Sequence, residues 1–286
     1  MGRIFRRVIQ RMHGFFILMR PVNVIIASLS IFLAAFICGE LTPLINVVFA
    51  CVSGALITAA ANAINDVFDI SIDRINKPHR PLPTGIVSIN EGWIFSMFCF
   101  AAGIAFSLPI NRQAFLIASV ISVLLYLYSA KFKRTVLVGN FIVSLATAMA
   151  FIYGAVAIGQ FTNAIIPATF AFLMHLGREI IKDMEDIKGD RLHNAFTLPV
   201  KYGIHSAKWA VIVVFILLIA TTFIPFLYGM YGLYYFVLVM LGVNSVLIYS
   251  IISISRISTS KNYRFLSALL KGDMIMGLFA IYAGRW

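Results

Sequence analysis

Near-continuous apolar runs at 21–38, 44–64, 93–108, 114–129, 136–158, 165–181, 207–228, 233–253 and 266–282 alternate with short polar segments. A helix of about 17 or more apolar residues is long enough to cross the hydrocarbon core of a bilayer. Inside lipid, backbone amides must be satisfied within the spanning element, so only helices and closed barrels cross. No strand-like alternation of apolar and polar positions runs through these stretches, and the pattern predicts an all-α, polytopic bundle of about nine transmembrane helices. Residues 1–20 read differently. There Arg3, Arg6, Arg7, Arg11 and Arg20 interleave with apolar positions, which predicts either an amphipathic helix lying in the membrane interface or a plain topology signal.

Composition sharpens this picture. Hydrophobic residues make up 61% of the 286 and charged residues only 12%, against about 25% charged in soluble domains. The net charge of +12 would point to nucleic acid in a soluble chain, but here the basic residues follow the loops. The N-terminus and the segments at 65–92, 130–135, 183–206 and 254–265 hold nearly all of them, whereas Arg112 and Arg285 fall on the other side. That asymmetry predicts a cell-membrane protein with the first set of loops in the cytoplasm and no nucleic-acid partner. Cys38, Cys51 and Cys99 sit singly in apolar runs and read as small buried hydrophobes. No linker divides the chain, so one domain over 1–286 is expected, and no feature specifies an oligomer.

The acidic residues carry the chemistry. Of 11 Asp and Glu, eight lie in two stretches: Asp66, Asp69 and Asp73 in the first, and Glu179, Asp183, Glu185, Asp186 and Asp190 in the second. Asp66, Asp69 and Asp73 are spaced i, i+3, i+7, and Asp183, Asp186 and Asp190 repeat that spacing. On a helix each trio would point from one face over roughly 10 Å. Carboxylates that close repel unless cations sit among them. Oxygen-only donors suit Mg²⁺, which commonly joins a few carboxylates to substrate phosphates. Arg74, Lys77 and Arg80 follow the first trio at once, and both trios fall on the predicted cytoplasmic side. A Mg²⁺–diphosphate site is the reading. Loss of diphosphate from an allylic substrate leaves a carbocation that water would quench, and a water-poor bundle would protect it.

Asn65-Asp66-x-x-Asp69-x-x-x-Asp73 is similar to the NDxxDxxxD signature of the UbiA superfamily of intramembrane prenyltransferases, and Asp183-x-x-Asp186-x-x-x-Asp190 resembles that family's second aspartate motif. The likeness extends over essentially the whole chain. It implies a nine-helix bundle with the active site beneath a cytoplasmic cap. By this resemblance Asn65, Asp66, Asp69, Asp73, Asp183, Asp186 and Asp190 bind Mg²⁺ and diphosphate, and Lys77, Arg80, Lys131, Lys133 and Arg134 contact the diphosphate. Asp69, Asp73, Asp186, Asp190 and Arg134 stand as the catalytic set, and Asn62, one turn before the first motif, is expected to reach the same site.

Members that prenylate aromatic rings often show a KRxTxxPQ-like run, whereas here Lys133 to Asn140 reads KRTVLVGN without the Pro-Gln. The stretch 178–191 is more similar to an archaeal branch that transfers geranylgeranyl from geranylgeranyl diphosphate to the sn-2 hydroxyl of geranylgeranylglyceryl phosphate. The implied partners are that diphosphate, a phosphorylated lipid acceptor and membrane lipids, with Arg20 and Arg178 as further basic residues for the acceptor phosphate. An aromatic acceptor of quinone biosynthesis is the alternative. A transporter is disfavoured, because transporter acids lie near the bilayer midplane and these lie at span ends.

Overall fold

The computed structural model describes residues 2–192 and 195–284. His193 and Arg285 lie outside the described residues, as do the side chains of Arg3, Arg6 and Arg7. Helices α1 (Gly2–Leu18), α2 (Pro21–Cys38), α3 (Leu44–Phe68), α4 (Ile70–Asn76), α5 (Ile89–Ser107), α6 (Arg112–Ala130), α7 (Val138–Ala157), α8 (Ile165–Leu192), α9 (Leu198–Leu227), α10 (Leu233–Leu238), α11 (Ser245–Arg256) and α12 (Ser260–Ala283) follow in order. A π-helical segment, Val239–Asn244, joins α10 to α11. Among the described residues nine helical segments are long and apolar enough to cross a membrane. Their large side chains face outward freely: Phe98 is 68% exposed, Ile275 70% and Leu241 77%. In water such a surface would be an aggregation hazard; against lipid it is the expected finish.

Local signals set the helix starts. Ser88 caps α5 by accepting from the Glu91 amide while the Glu91 carboxylate accepts from the Ser88 amide, a reciprocal capping box. Asn111 caps α6 through the Ala114 amide, and Thr259 caps α12 through Asn262. Pro21 opens α2, where its missing N–H costs nothing.

The chain divides into two units, Met1–Lys131 with Ala150–Phe161, and Phe132–Met149 with Thr162–Trp286. In the first, α3 is the central helix, packed by α1, α2, α4, α5 and α6. Small and hydroxylated residues make its seams. Ser53 donates to the Gly103 carbonyl at 2.7 Å and Ser96 to the Ala60 carbonyl at 2.8 Å, bonds that hold where apolar packing against lipid gives no net drive. A Cβ at Gly154 would lie 2.2 Å from the Ile31 carbonyl oxygen, so only glycine lets that stretch of α7 meet α2. In the second unit α8 packs on α9 and α12, and α12 on α10, α11 and the π segment.

The expected polar loops prove largely helical. Leu198 opens a short separate turn of helix before α9 breaks at Gly203 (φ 84°, ψ 161°), and the long spanning part starts after the break, close to the expected 207. The span expected to end at 181 continues to Leu192. Likewise α3 runs through Phe68, and only three residues separate α11 from α12. Hydropathy marks where lipid ends, not where the helix ends. Past the lipid boundary, side-chain pairs such as Lys182 with Glu179 at 2.9 Å keep the helix going.

Candidate active site

In the first unit α3 stops at Phe68, and Asp69 sits at φ −90°, ψ 4° between α3 and α4. Its amide still bonds the Asn65 carbonyl at 3.0 Å, and the Asp73 amide bonds the Asp69 carbonyl at 2.8 Å. The three aspartates therefore do not ride one regular helix, which corrects the single-helix reading: Asp66 is on α3, Asp73 on α4, and Asp69 is the junction between them. Asp66 and Asp73 nonetheless converge. The Arg80 guanidinium donates to Asp66 Oδ1 at 2.9 Å and to Asp73 Oδ2 at 2.6 Å, with the two aspartates only 3% and 4% exposed. Arg20 makes a second ion pair with Asp66. Asp69 accepts from the Asn65 amide at 3.1 Å.

Arg20 reaches Asp66 from an unusual backbone. At the α1–α2 junction it is left-handed, φ 53° and ψ 75°, which costs a non-glycine residue about 1–2 kcal/mol. The ion pair offsets that, as does the Asn62 amide donating to the Met19 carbonyl at 2.9 Å. Asn62 also accepts from Asn23 at 3.4 Å, so its side chain is spent on stitching the α1–α2 junction to α3. Lys77 is exposed at the end of α4.

In the second unit the aspartates do share one unbroken helix, α8. Leu137, left-handed at φ 58°, turns the chain from the Phe132–Arg134 turn into α7 and sets Asn140 in its first turn. Asn140, 8% exposed, donates to Asp183 Oδ2 at 2.8 Å. Thr197, which opens α9, donates to Asp190 Oδ2 at 2.9 Å, and the Ala195 amide takes the Asp190 carbonyl. Asp186 is exposed. The Phe196 amide bonds the Arg134 carbonyl at 2.9 Å, tying the predicted basic loop to the segment after α8. Lys131 and Arg134 are exposed and Lys133 half-buried. Arg178 is committed elsewhere: Nε donates to the Ser267 carbonyl at 3.1 Å and the guanidinium pairs with Glu179 at 3.2 Å.

Asn140 and Thr197 were not singled out as site residues by sequence. A Thr two residues before Pro199 is a helix-start signal that marks Thr197, whereas no local pattern marks Asn140. Tyr153 donates to Ser53 Oγ at 2.7 Å, buried within the first unit. Tyr126 packs edge-on against Phe68 and Trp93. Among the described residues no three Asp, Glu, His or Cys side chains form a metal-holding group by themselves. The donors near each motif are carboxylate and amide oxygens, a set that fits a hard cation sharing its shell with substrate phosphates and water.

The model of the UbiA prenyltransferase family matches residues 23–275, nearly the whole chain and both units. This protein belongs to the UbiA prenyltransferase family. It is 37% identical over 273 residues, 95% of this chain and 99% of the relative, to a protein named digeranylgeranylglyceryl phosphate synthase from Methanopyrus kandleri. A protein of the same name from Methanothermobacter thermautotrophicus is 33% identical over 275 residues, 96% of each chain. A solved structure concerning digeranylgeranylglyceryl phosphate synthase in membranes superposes with TM-score 0.85 at 31% identity, covering 96% of this chain and 98% of that one. A UbiA homolog from Archaeoglobus fulgidus bound to DMAPP and Mg²⁺ gives TM-score 0.68 at 20% identity, over 94% of this chain and 99% of that one. That likeness speaks to the fold alone. This UbiA-family member is thus a multi-pass membrane prenyltransferase.

Proposed function

We propose that this family member is a digeranylgeranylglyceryl phosphate synthase, transferring geranylgeranyl from geranylgeranyl diphosphate to the sn-2 hydroxyl of geranylgeranylglyceryl phosphate on the cytoplasmic side of the cell membrane. The observation that carries this is full-length likeness, 37% over 95% of the chain, to a synthase of that name.

Mg²⁺ would be held by the carboxylates of Asp66, Asp69, Asp73, Asp183, Asp186 and Asp190 with the Asn65 amide. When bound, it stabilises negative charge on the departing diphosphate. The chain's own cations do related work. Arg80 and Arg20 sit on the first-motif carboxylates, and with Lys77, Lys131, Lys133 and Arg134 they supply donors for phosphate oxygens as charge grows there. The C1–O bond to diphosphate breaks with its electron pair leaving on the phosphate. The acceptor oxygen bonds C1 and gives up its proton to the released diphosphate. Apolar helices house the prenyl tail, each buried CH₂ contributing about 0.8 kcal/mol, and keep water from the carbocation.

The test is product analysis with purified, detergent-solubilised protein, labelled geranylgeranyl diphosphate, Mg²⁺ and two competing acceptors, geranylgeranylglyceryl phosphate and 4-hydroxybenzoate. A labelled diether that disappears with EDTA and in Asp69→Ala is expected. A prenylated ring in its place would move the protein to quinone synthesis, and transfer that survives EDTA would remove the metal.

A further inference from the structure

We infer that Asn140 is a positioning residue for the second aspartate motif, its side-chain amide holding the Asp183 carboxylate in the orientation that receives a Mg²⁺–diphosphate. The inference rests on the metal–diphosphate reading above and adds a residue outside both motifs.

Asp66 and Asp73 on one side and Asp183 on the other are held by different kinds of donor. Asp66 and Asp73 are gripped by guanidinium groups, which supply hydrogen bonds and cancel the carboxylate charge together. Asp183 is gripped by an amide, the Asn140 Nδ2 at 2.8 Å. A neutral donor fixes the rotamer and occupies a lone pair of one oxygen, yet leaves the negative charge in place for a cation. Glu179 and Asp190 add negative charge around Asp183, with Lys182 the nearby positive group. Asn140 orients this carboxylate without adding a positive charge to it.

Asn140 is well built for the task. It is 8% exposed and rooted in the first turn of α7. Its carbonyl accepts from Ser144 Oγ at 2.6 Å, and the left-handed Leu137 sets where that turn begins. Outer partners that orient metal-binding carboxylates typically change metal affinity 10- to 100-fold when removed. A packing asparagine, by contrast, would affect stability and leave metal affinity alone.

The experiment titrates Mg²⁺ calorimetrically into purified, detergent-solubilised protein in the presence of inorganic diphosphate, alongside thermal stability in EDTA. Asn140→Leu, near-isosteric and without a donor, is expected to weaken Mg²⁺ binding about 10-fold or more. In an Asp183→Asn background the same change should add less than about twofold, because Asn140 acts through Asp183. Steady-state transfer should show the matching rise in the Mg²⁺ needed for half-saturation. If Asn140→Leu does not yield folded protein, Asn140→Ser takes its place with the same expectation. Wild-type affinity in the folded variant, or an equal loss in the Asp183→Asn background, overturns the inference while the metal site stands. Failure of the parent protein to bind Mg²⁺ with diphosphate at all overturns both readings.

Discussion

Replacing Arg80 with Met keeps the length of the apolar stem and removes the guanidinium that joins Asp66 to Asp73. Arg20, Arg80, Asp66 and Asp73 together carry two positive and two negative charges, so the substitution leaves one negative charge stranded. Both aspartates are nearly inaccessible, at 3% and 4% exposed, and the Arg80 side chain is only 19% exposed, so water screens the loss weakly. Breaking a buried ion pair from one side costs about 3–5 kcal/mol. Arg20 remains on Asp66 and covers part of that, so the low end, about 3 kcal/mol, is expected. At roughly 2 °C per kcal/mol for a large domain, the unfolding midpoint in detergent with EDTA should fall by about 6 °C. Adding Asp73→Asn to Arg80→Met should then raise the midpoint again, since it removes the stranded charge. An unchanged midpoint in Arg80→Met, or a double variant less stable than the single one, would refute the claim that Asp66, Asp73, Arg20 and Arg80 form an internally neutralised group.

Three other substitutions probe the scaffold. Gly154→Ala would place a Cβ 2.2 Å from the Ile31 carbonyl oxygen and 3.0 Å from Ala34 Cβ; overpacking of about 2 kcal/mol or more should show as a sharp drop in monodisperse protein by size-exclusion chromatography. Tyr153→Phe deletes the 2.7 Å bond to Ser53, and a loss of about 1 kcal/mol in thermal stability with unchanged turnover is expected. A fall in turnover at unchanged stability would instead give Tyr153 a role at the reacting centre. Ser88→Ala removes half of the α5 capping box and should cost about 1 kcal/mol, read by the same thermal assay.

The nine spans were legible because lipid imposes a length and a composition on anything that crosses it. Their ends were not, since polar residues past the lipid boundary carry α8 on to Leu192 without any break in helix propensity. The acidic residues of the candidate site stand out by their spacing in a chain with so few acids. How they are held does not. The break between α3 and α4 at Asp69 has no glycine or proline to announce it. Arg80 lies seven residues past Asp73 and Arg20 forty-six before Asp66. Asn140 stands forty-three residues before Asp183, on a different helix. Contacts of that range depend on packing, for which a single sequence carries no periodic signal.

Equal spacing in the two motifs therefore conceals unequal electrostatics. An i, i+3, i+7 trio prescribes a common face only while the helix stays regular, as α8 does and the α3–α4 junction does not. Asp66 and Asp73 close around Arg80 and with Arg20 form a charge-balanced group of four, so a divalent cation arriving there must compete with guanidinium groups for their carboxylate oxygens. Those guanidiniums, once displaced, are donors suited to the phosphate oxygens that accompany the metal. In the second unit Asp183 is held by a neutral donor, the Asn140 amide, which orients the carboxylate without cancelling its charge. Removing Arg80 and removing Asn140 should accordingly fail in different ways. The first loss should appear as instability of the metal-free protein, the second as weakened metal binding in a protein whose stability is little changed.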